Sequence, residues 1–409
     1  MPVRLDRVPA PATRPARPRV LLWLSLLALL LASGMGSTFV FATQALREQP
    51  MSFWGLALGM PLLGWTVLGF GRIALYIGQQ SAADGWDEAR EEDMIRRIRR
   101  GRCSQQVLGV SLYTALHNPG DAPATQLDAV LSGTQALVFQ PSALGEGPLR
   151  HTRLQGAADV EPEIGLLRVL TQVLIDLGQI LAQVPGDRPL ALMLEVDCDL
   201  PEGLLQRVWQ QAWRDSGIRQ STVPVEGRGL AAVDQWLDQR INDQALLLVL
   251  VVQFALPEPE GSAEVAVGLL LGNRLTQTTL APIAYLHRPE QEREPTDADL
   301  LYATRQALDW VPLEGQSIEQ VWRVGIGAQR TAAMTSVLLE IPIPVESPRG
   351  VCNLDALLGN PGKAAPWLAI AAATQTIERG AGPQFIFSGG DDAAGLWCTV
   401  LMPVTPFSK

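Results

Sequence analysis

The sequence predicts a layered α/β body of two similar halves behind an N-terminal transmembrane helical hairpin. Three observations carry this expectation. Two uncharged apolar stretches lie close together before residue 72. After Cys103, short β-rich runs alternate with longer helical periods. Each half closes on the order helix, strand, turn, strand, which asks for helices packed on mainly parallel strands.

The chain has 409 residues, 47% hydrophobic and 18% charged, with mean hydropathy +0.13. Low charge with positive hydropathy excludes wholesale disorder and fits a folded body carrying a membrane segment. Net charge is −10, and only two lysines occur, Lys363 and Lys409. An acidic chain with its arginines gathered near the N-terminus is a poor nucleic-acid binder. Cys103, Cys198, Cys352 and Cys398 are far apart and form no C-x-x-C, which argues against structural zinc and against a disulfide-stapled fold.

Residues 1–19, rich in proline and arginine, predict a disordered basic tail. Val20 to Ala42 carries no charge and exceeds the roughly 20 apolar residues that cross a bilayer. Ser52 to Gly71 is again uncharged and continues past Arg72, so residues 20–79 read as a hairpin around the loop Thr43 to Met51. Phe-Ala-Thr-Gln-Ala after the first span resembles a loose cleavage signal, but that span outruns a signal core and a second span follows. Arginines at 4, 7, 14, 17 and 19, and again from 90 to 102, flank a loop with Arg47 alone. The positive-inside rule then puts both ends and the body on the cytoplasmic side and the loop outside. Gly55-x-x-x-Gly59 predicts close packing within the hairpin ahead of dimerisation, and Pro61 predicts a kink. Residues 80–102, acidic then basic, predict a connector helix suited to the helix dipole, with its arginines also able to meet anionic lipid.

The body divides at 103–274 and 275–409. In the first part, residues 105–116 predict a strand, Ile164 to Val184 a helix stopped by Pro185-Gly186, and Leu190 to Asp197 a buried strand. A helix then opens after Pro201 with Gly217 as its C-cap, and Gly229 to Asp243 is another. Residues 245–256 form an unbroken apolar run, the mark of a strand covered on both faces, and residues 265–274 return as its partner. In the second part, Leu280 to Arg288 predicts a strand, residues 300–310 a helix and residues 321–328 a strand. Lys363 to Arg379 is a small-residue helix, and residues 383–390 and 395–403 are the closing strands.

Chemistry finds little support. Cys198 lies between Asp197 and Asp199, which disfavour thiolate; Cys398 is mid-strand and Cys103 sits in the connector. Cys352 is the best thiol, just before Asn353 and a short helix, yet no histidine is near it in sequence. His117, His151 and His287 read as surface or packing residues. Gly325-Ile326-Gly327 lacks the third glycine of a phosphate loop and a helix start, so a turn or tight backbone approach is the better reading. Asp391-Asp392 reads as an exposed hairpin tip, Glu258, Glu260 and Glu264 as a solvated loop, and Trp209 with Trp213 as one core-facing helical face. No catalytic, cofactor or metal residue is assigned.

Gly359-Asn360-Pro361-Gly362 with the helix Ala364 to Ile377 resembles the Gly-His-Pro-x-Gly segment of thiolases. Ser388-Gly389-Gly390-Asp391 with the strand Leu396 to Leu401 resembles their terminal hairpin. The resemblance implies a thiolase and ketosynthase fold. Asn360 takes the histidine position, and no cysteine precedes the Gly229 helix, where the nucleophile would fall. A membrane-anchored, degenerate thiolase-like chain resembles the type VI secretion lipase-adapter family. That resemblance implies a non-catalytic adapter that recruits a phospholipase effector to the secretion spike protein and uses no cofactor. The alternative is a membrane-bound acyl-CoA enzyme with a cysteine nucleophile.

Overall fold

The apolar stretch after Arg19 forms α1 (Val20–Phe41), and two short helices follow, α2 (Gln44–Arg47) and α3 (Pro50–Trp54). A π-helical turn, Gly55–Gly59, leads into α4 (Met60–Gly101). The computed structural model describes residues 3, 5–118, 120–121, 123–141, 147–155, 160–343, 350–389 and 395–404. Two compact units result, one from Arg4 to Ile98 and one whose main part is Arg99–Lys409.

In the first unit, α1 and the continuous helix Pro50–Gly101 are each long and apolar enough to cross a membrane. They run antiparallel: a Cβ at Gly34 would meet Pro61 and lie 2.6 Å from the Ala57 carbonyl oxygen, and the Trp65 indole donates to the Trp23 carbonyl at 2.9 Å. Gly55 and Gly59 take no part in this approach, since a Cβ on either meets nothing within 4 Å. The close contact is therefore made by Gly34, not by the glycine pair that the sequence suggested. Pro61 has no N–H for the Ala57 carbonyl, and the π turn immediately before it absorbs the mismatch. The expected connector is not a separate helix, because no proline interrupts the chain between Leu62 and Gly101. Residues 9–14, expected to be free, run beside the polar half of α4. Asp87 accepts from the Ala12 amide and from Arg14, both at 2.8 Å, and Arg90 donates to the Pro9 carbonyl at 2.7 Å.

The body is built from one strand–helix alternation run twice. The first pass uses β1 (Ser104–Tyr113), then α5 (Pro123–Leu131) and the small hairpin β2 (Val138–Pro141) and β3 (Pro148–His151). It continues with α6 (Pro162–Leu181), β4 (Leu190–Asp197), α7 (Glu202–Ser216), β5 (Thr222–Pro224), α8 (Gly229–Gln239), β6 (Leu246–Gln253) and β7 (Val265–Asn273). The second pass uses β8 (Ala284–His287), β9 (Glu290–Gln291), α9 (Asp297–Trp310), β10 (Gln320–Val324) and α10 (Ala328–Glu340). It ends with β11 (Val351–Asn353), α11 (Leu354–Leu358), α12 (Ala365–Glu378), β12 (Gln384–Ser388) and β13 (Trp397–Pro403).

All strands but β2 and β3 join one sheet in the order β11-β10-β12-β13-β8-β1-β7-β6-β4-β5, with β9 on β13. The order mirrors about the β8–β1 pair. In each half the strands joined by helices are parallel, β5-β4-β6 and β11-β10-β12. The closing hairpins β6–β7 and β12–β13 are antiparallel, and so are the pairs through β1 and β8. The sheet is thus mixed rather than mainly parallel, because short turns can only join antiparallel neighbours.

Strand alternation sorts the apolar side chains into three cores. Leu247, Val249 and Val251 of β6 face a middle core with α8 and α12, to which Trp322 of β10 and Ile386 of β12 also belong. Leu246, Leu248 and Leu250 face outward onto α6 and α7. Val321, Phe385 and Phe387 face α9 and α10. The result is a layered α/β body with two buried helices shared between its halves. A third helix apolar enough to span a membrane, α6, spends its leucines in this packing.

Candidate functional site

The resemblance directs attention to the start of α8 and to residues 359–363. Parallel strands β4 and β6 end side by side there, and their C-terminal ends are where open α/β sheets place binding residues. Glu195 and Asp197 of β4, Arg228 before α8 and Lys363 before α12 line a cavity of about 170 Å³. The Glu195 carboxylate accepts the Gly229 amide at 2.7 Å, so an anion already sits on the helix N-terminus. Lys363 Nζ lies 3.9 Å from Asp197, both half-exposed, a contact that contributes little to stability. The sequence signal for this cluster was Glu195 itself, a charge at the end of the apolar run LALMLEVD.

Asn360 serves the backbone. Its Oδ1 accepts the Gly362 amide at 2.9 Å, while its carbonyl accepts from Ala263 and from Gln253, both at 2.9 Å. The segment is pinned to the turn before β7, and the side chain faces no thiol among the described contacts.

None of the cysteines is activated. Burial pushes the Cys352 thiol up to about 12, and its neighbour Asn353 already caps α11 by accepting the Ala356 amide at 3.3 Å. Burial likewise pushes Cys398 to about 12, with Thr304 Oγ1 at 3.5 Å. Cys198 and Cys103 are raised chiefly by burial; Asp197 and Asp199 add to it at Cys198. Burial pulls His287 down to about 4, so it is neutral at pH 7. His151 is buried with Nδ1 3.0 Å from the Leu149 carbonyl, and His117 stands edge-on to Tyr113 with ring centroids 4.8 Å apart.

Gly325-Ile326-Gly327 does precede a helix, α10, contrary to the sequence reading. It is nevertheless a tight approach: Asp355 accepts the Gly325 and Ile326 amides at 2.7 and 3.2 Å, and the Gly389 amide donates to Val324. A second carboxylate thus takes the place a phosphate would use.

Glu264 is not part of a solvated loop. It is buried, accepting the Leu154 and Ala255 amides at 2.8 and 3.1 Å, and burial raises its carboxyl. Asp391-Asp392 lies outside the described residues. Trp209 and Trp213 stack at 5.4 Å against the outer core, as expected for one core-facing stripe. Among the described residues no three His, Cys, Asp or Glu side chains gather to hold a metal.

One charged cluster was not read from the sequence at all. Arg288, fully buried, bridges Asp234 and Asp238 of α8, and Arg100 at the end of α4 also holds Asp238, at 2.6 Å. Burial works against the Asp238 charge, but Arg100 and Arg288 outweigh it and hold the carboxyl below its usual range.

The mirrored halves, shared buried helices and antiparallel closing strands decide the fold. It is the ketosynthase fold. The ketosynthase from module 1 of the bacillaene synthase of Bacillus amyloliquefaciens FZB42 superposes with TM-score 0.54 at 12% identity, over 76% of this chain and 74% of that one. The ketosynthase of the complex AntDE:AntF, a type II polyketide synthase with its acyl-carrier protein, gives 0.53 at 10% identity over 74% and 100%. The ishigamide ketosynthase/chain length factor gives 0.52 at 16% over 74% and 100%. By sequence the chain matches no family model and no curated protein. At identities this low the superpositions show the fold alone.

Proposed function

We propose that the chain is a membrane-anchored, non-catalytic adapter whose ketosynthase-like body holds a protein partner. The partner proposed is the one the sequence resemblance implies, a phospholipase effector passed to the type VI secretion spike, with the body on the cytoplasmic side of the inner membrane. The observation that supports this reading is the Glu195 carboxylate on the Gly229 amide. Acyl transfer needs backbone donors aimed at a developing oxyanion and an activated nucleophile beside them. Here the donor is taken by a negative charge, and Arg228 stands where the resemblance puts the nucleophile. A cysteine-dependent acyl-CoA enzyme would need a thiolate, which a thiol raised to about 12 does not supply at neutral pH.

The test uses the full chain in detergent, incubated with acyl-CoA and read by intact mass. The expected result is no added acyl mass in the wild type and none in Cys352→Ser. An adduct lost on Cys352→Ser overturns the adapter reading. In parallel, the chain should capture the phospholipase and spike protein from solubilised membranes, and Cys352→Ser and Asn360→Ala should capture them equally well. A folded Cys352→Ser chain that no longer delivers the effector would mean chemistry is required.

A further inference from the structure

Between α1 and α4 runs a groove of about 250 Å³ whose walls are almost wholly apolar. Trp23 and Leu24 form one side, Trp65, Gly69 and Ile73 the other, and Arg72 stands at one end. We propose that this groove binds one anionic membrane phospholipid, its phosphate on Arg72 and the upper part of one acyl chain between the two tryptophans. The inference rests on the membrane-anchored reading above.

Arg72 is the only charged residue between Pro50 and Ala83, within a helix otherwise fit for hydrocarbon. A charge there is costly unless it reaches the interface or finds a counter-charge. Its one hydrogen bond among the described residues is a long one, 3.3 Å from Nη2 to the Ala16 carbonyl, out of five N–H donors. That bond also fixes its depth, because Ala16 precedes the first residue of α1.

The tryptophans are level with each other through the Trp65–Trp23 hydrogen bond. Arg72 lies seven residues further along the helix, about 10 Å at 1.5 Å per residue. The separation matches a phosphate above and the first part of an acyl chain below. A Cβ on Gly69 would meet nothing within 4 Å, so the wall stays open between the two levels. Arg17 and Arg19, exposed at the same end of α1, add positive charge and favour an anionic over a zwitterionic headgroup. The walls are too apolar to hold a free phosphate ion by themselves, and too narrow for a whole lipid.

The experiment reconstitutes the full chain in nanodiscs of phosphatidylethanolamine and phosphatidylglycerol, releases it, and counts bound lipid by native mass spectrometry. Wild type should keep one phosphatidylglycerol in preference to phosphatidylethanolamine, and added inorganic phosphate should not displace it. Arg72→Gln should lower that retention about fivefold. Gly69→Phe, which fills the groove, should lower it as well. Arg14→Gln, whose side chain is engaged by Asp84 and Asp87, should not. Both groove variants should stay in carbonate-washed membranes. Equal retention of the two lipids, unchanged retention in an inserted Arg72→Gln chain, displacement by inorganic phosphate, or lipid-free dimers would each overturn the lipid site. Extraction of wild type by carbonate would overturn the anchored reading instead.

Discussion

Glu290 and His287 sit three residues apart, both buried, and burial shifts them in opposite directions. Burial raises Glu290 to about 7; Trp310 Nε1 donates to it at 3.2 Å and Arg293 and Arg288 oppose the rise, while Asp234 adds to it. Burial, with Arg274 nearby, lowers His287 to about 4. The folded state therefore favours neutral Glu290, a contribution present below about pH 4.5 and lost as pH climbs toward 7. It also favours neutral His287, a contribution present above about pH 6.5 and lost as pH falls toward 4. Between pH 5 and 6.5 the two slopes nearly cancel. Glu290→Gln should unmask the histidine, so that stability rises with pH across that window, by on the order of 2 kcal/mol in urea unfolding. A flat profile in Glu290→Gln would show that one of the two groups is not held as described. At this scale the sequence was legible where a residue's neighbours in the chain decide its state, as with the core tryptophans. It was illegible where neighbours come from afar: Glu264 is held by the Leu154 amide, and Arg288 by an α8 that ends some fifty residues earlier.

Elements were readable in proportion to their own periodicity. Leu166, Leu170, Val173, Leu174 and Leu177 fall on one face of α6 and are all buried, and Gly217 caps α7 with φ 68°. By contrast α10 was not predicted: the strand expected over residues 321–328 overlaps it only at Ala328. Its apolar pairs, Ala333 with Met334 and Val337 with Leu338, are four residues apart and were there to be read, but the preceding β-rich run masked its start. How closely α6 lies on the sheet was not visible in either pattern. A Cβ at Gly268 of β7 would stand 2.5 Å from Val173 and 2.8 Å from Leu177, and one at Gly109 of β1 would meet Ile180. Two glycines on adjacent strands make the seat for one helix. Gly268→Val should destabilise the body by about 1–3 kcal/mol through overpacking, read as a lower urea midpoint at unchanged slope. An unchanged midpoint would mean that α6 moves away from the sheet without penalty.

For the whole body, the two halves were legible as repeated rhythm, and their fusion into one sheet was not. Nothing in the local pattern of residues 104–113 says that β1 will pair with β8, because that pairing depends on a register set by both halves. The fusion has an energetic consequence. The middle core joins α8 and inner-facing side chains of β6 from the first half to α12, Trp322 and Ile386 from the second. Separating the halves would uncover α12, which packs on β1 and β7 of the first half and carries the fully buried Trp367, and would break the β1–β8 ladder. Each buried aromatic carries about 2–3 kcal/mol of burial alone, so neither half keeps a closed core without the other. Residues 103–274 and 275–409 should therefore unfold in one cooperative step. Hydrogen exchange of the full chain in rising urea, followed on peptides from β6 and from β12, should show both losing protection at a common midpoint with equal slopes. Distinct midpoints for the two strands would establish two independent domains and remove the shared core as the source of the fold's stability.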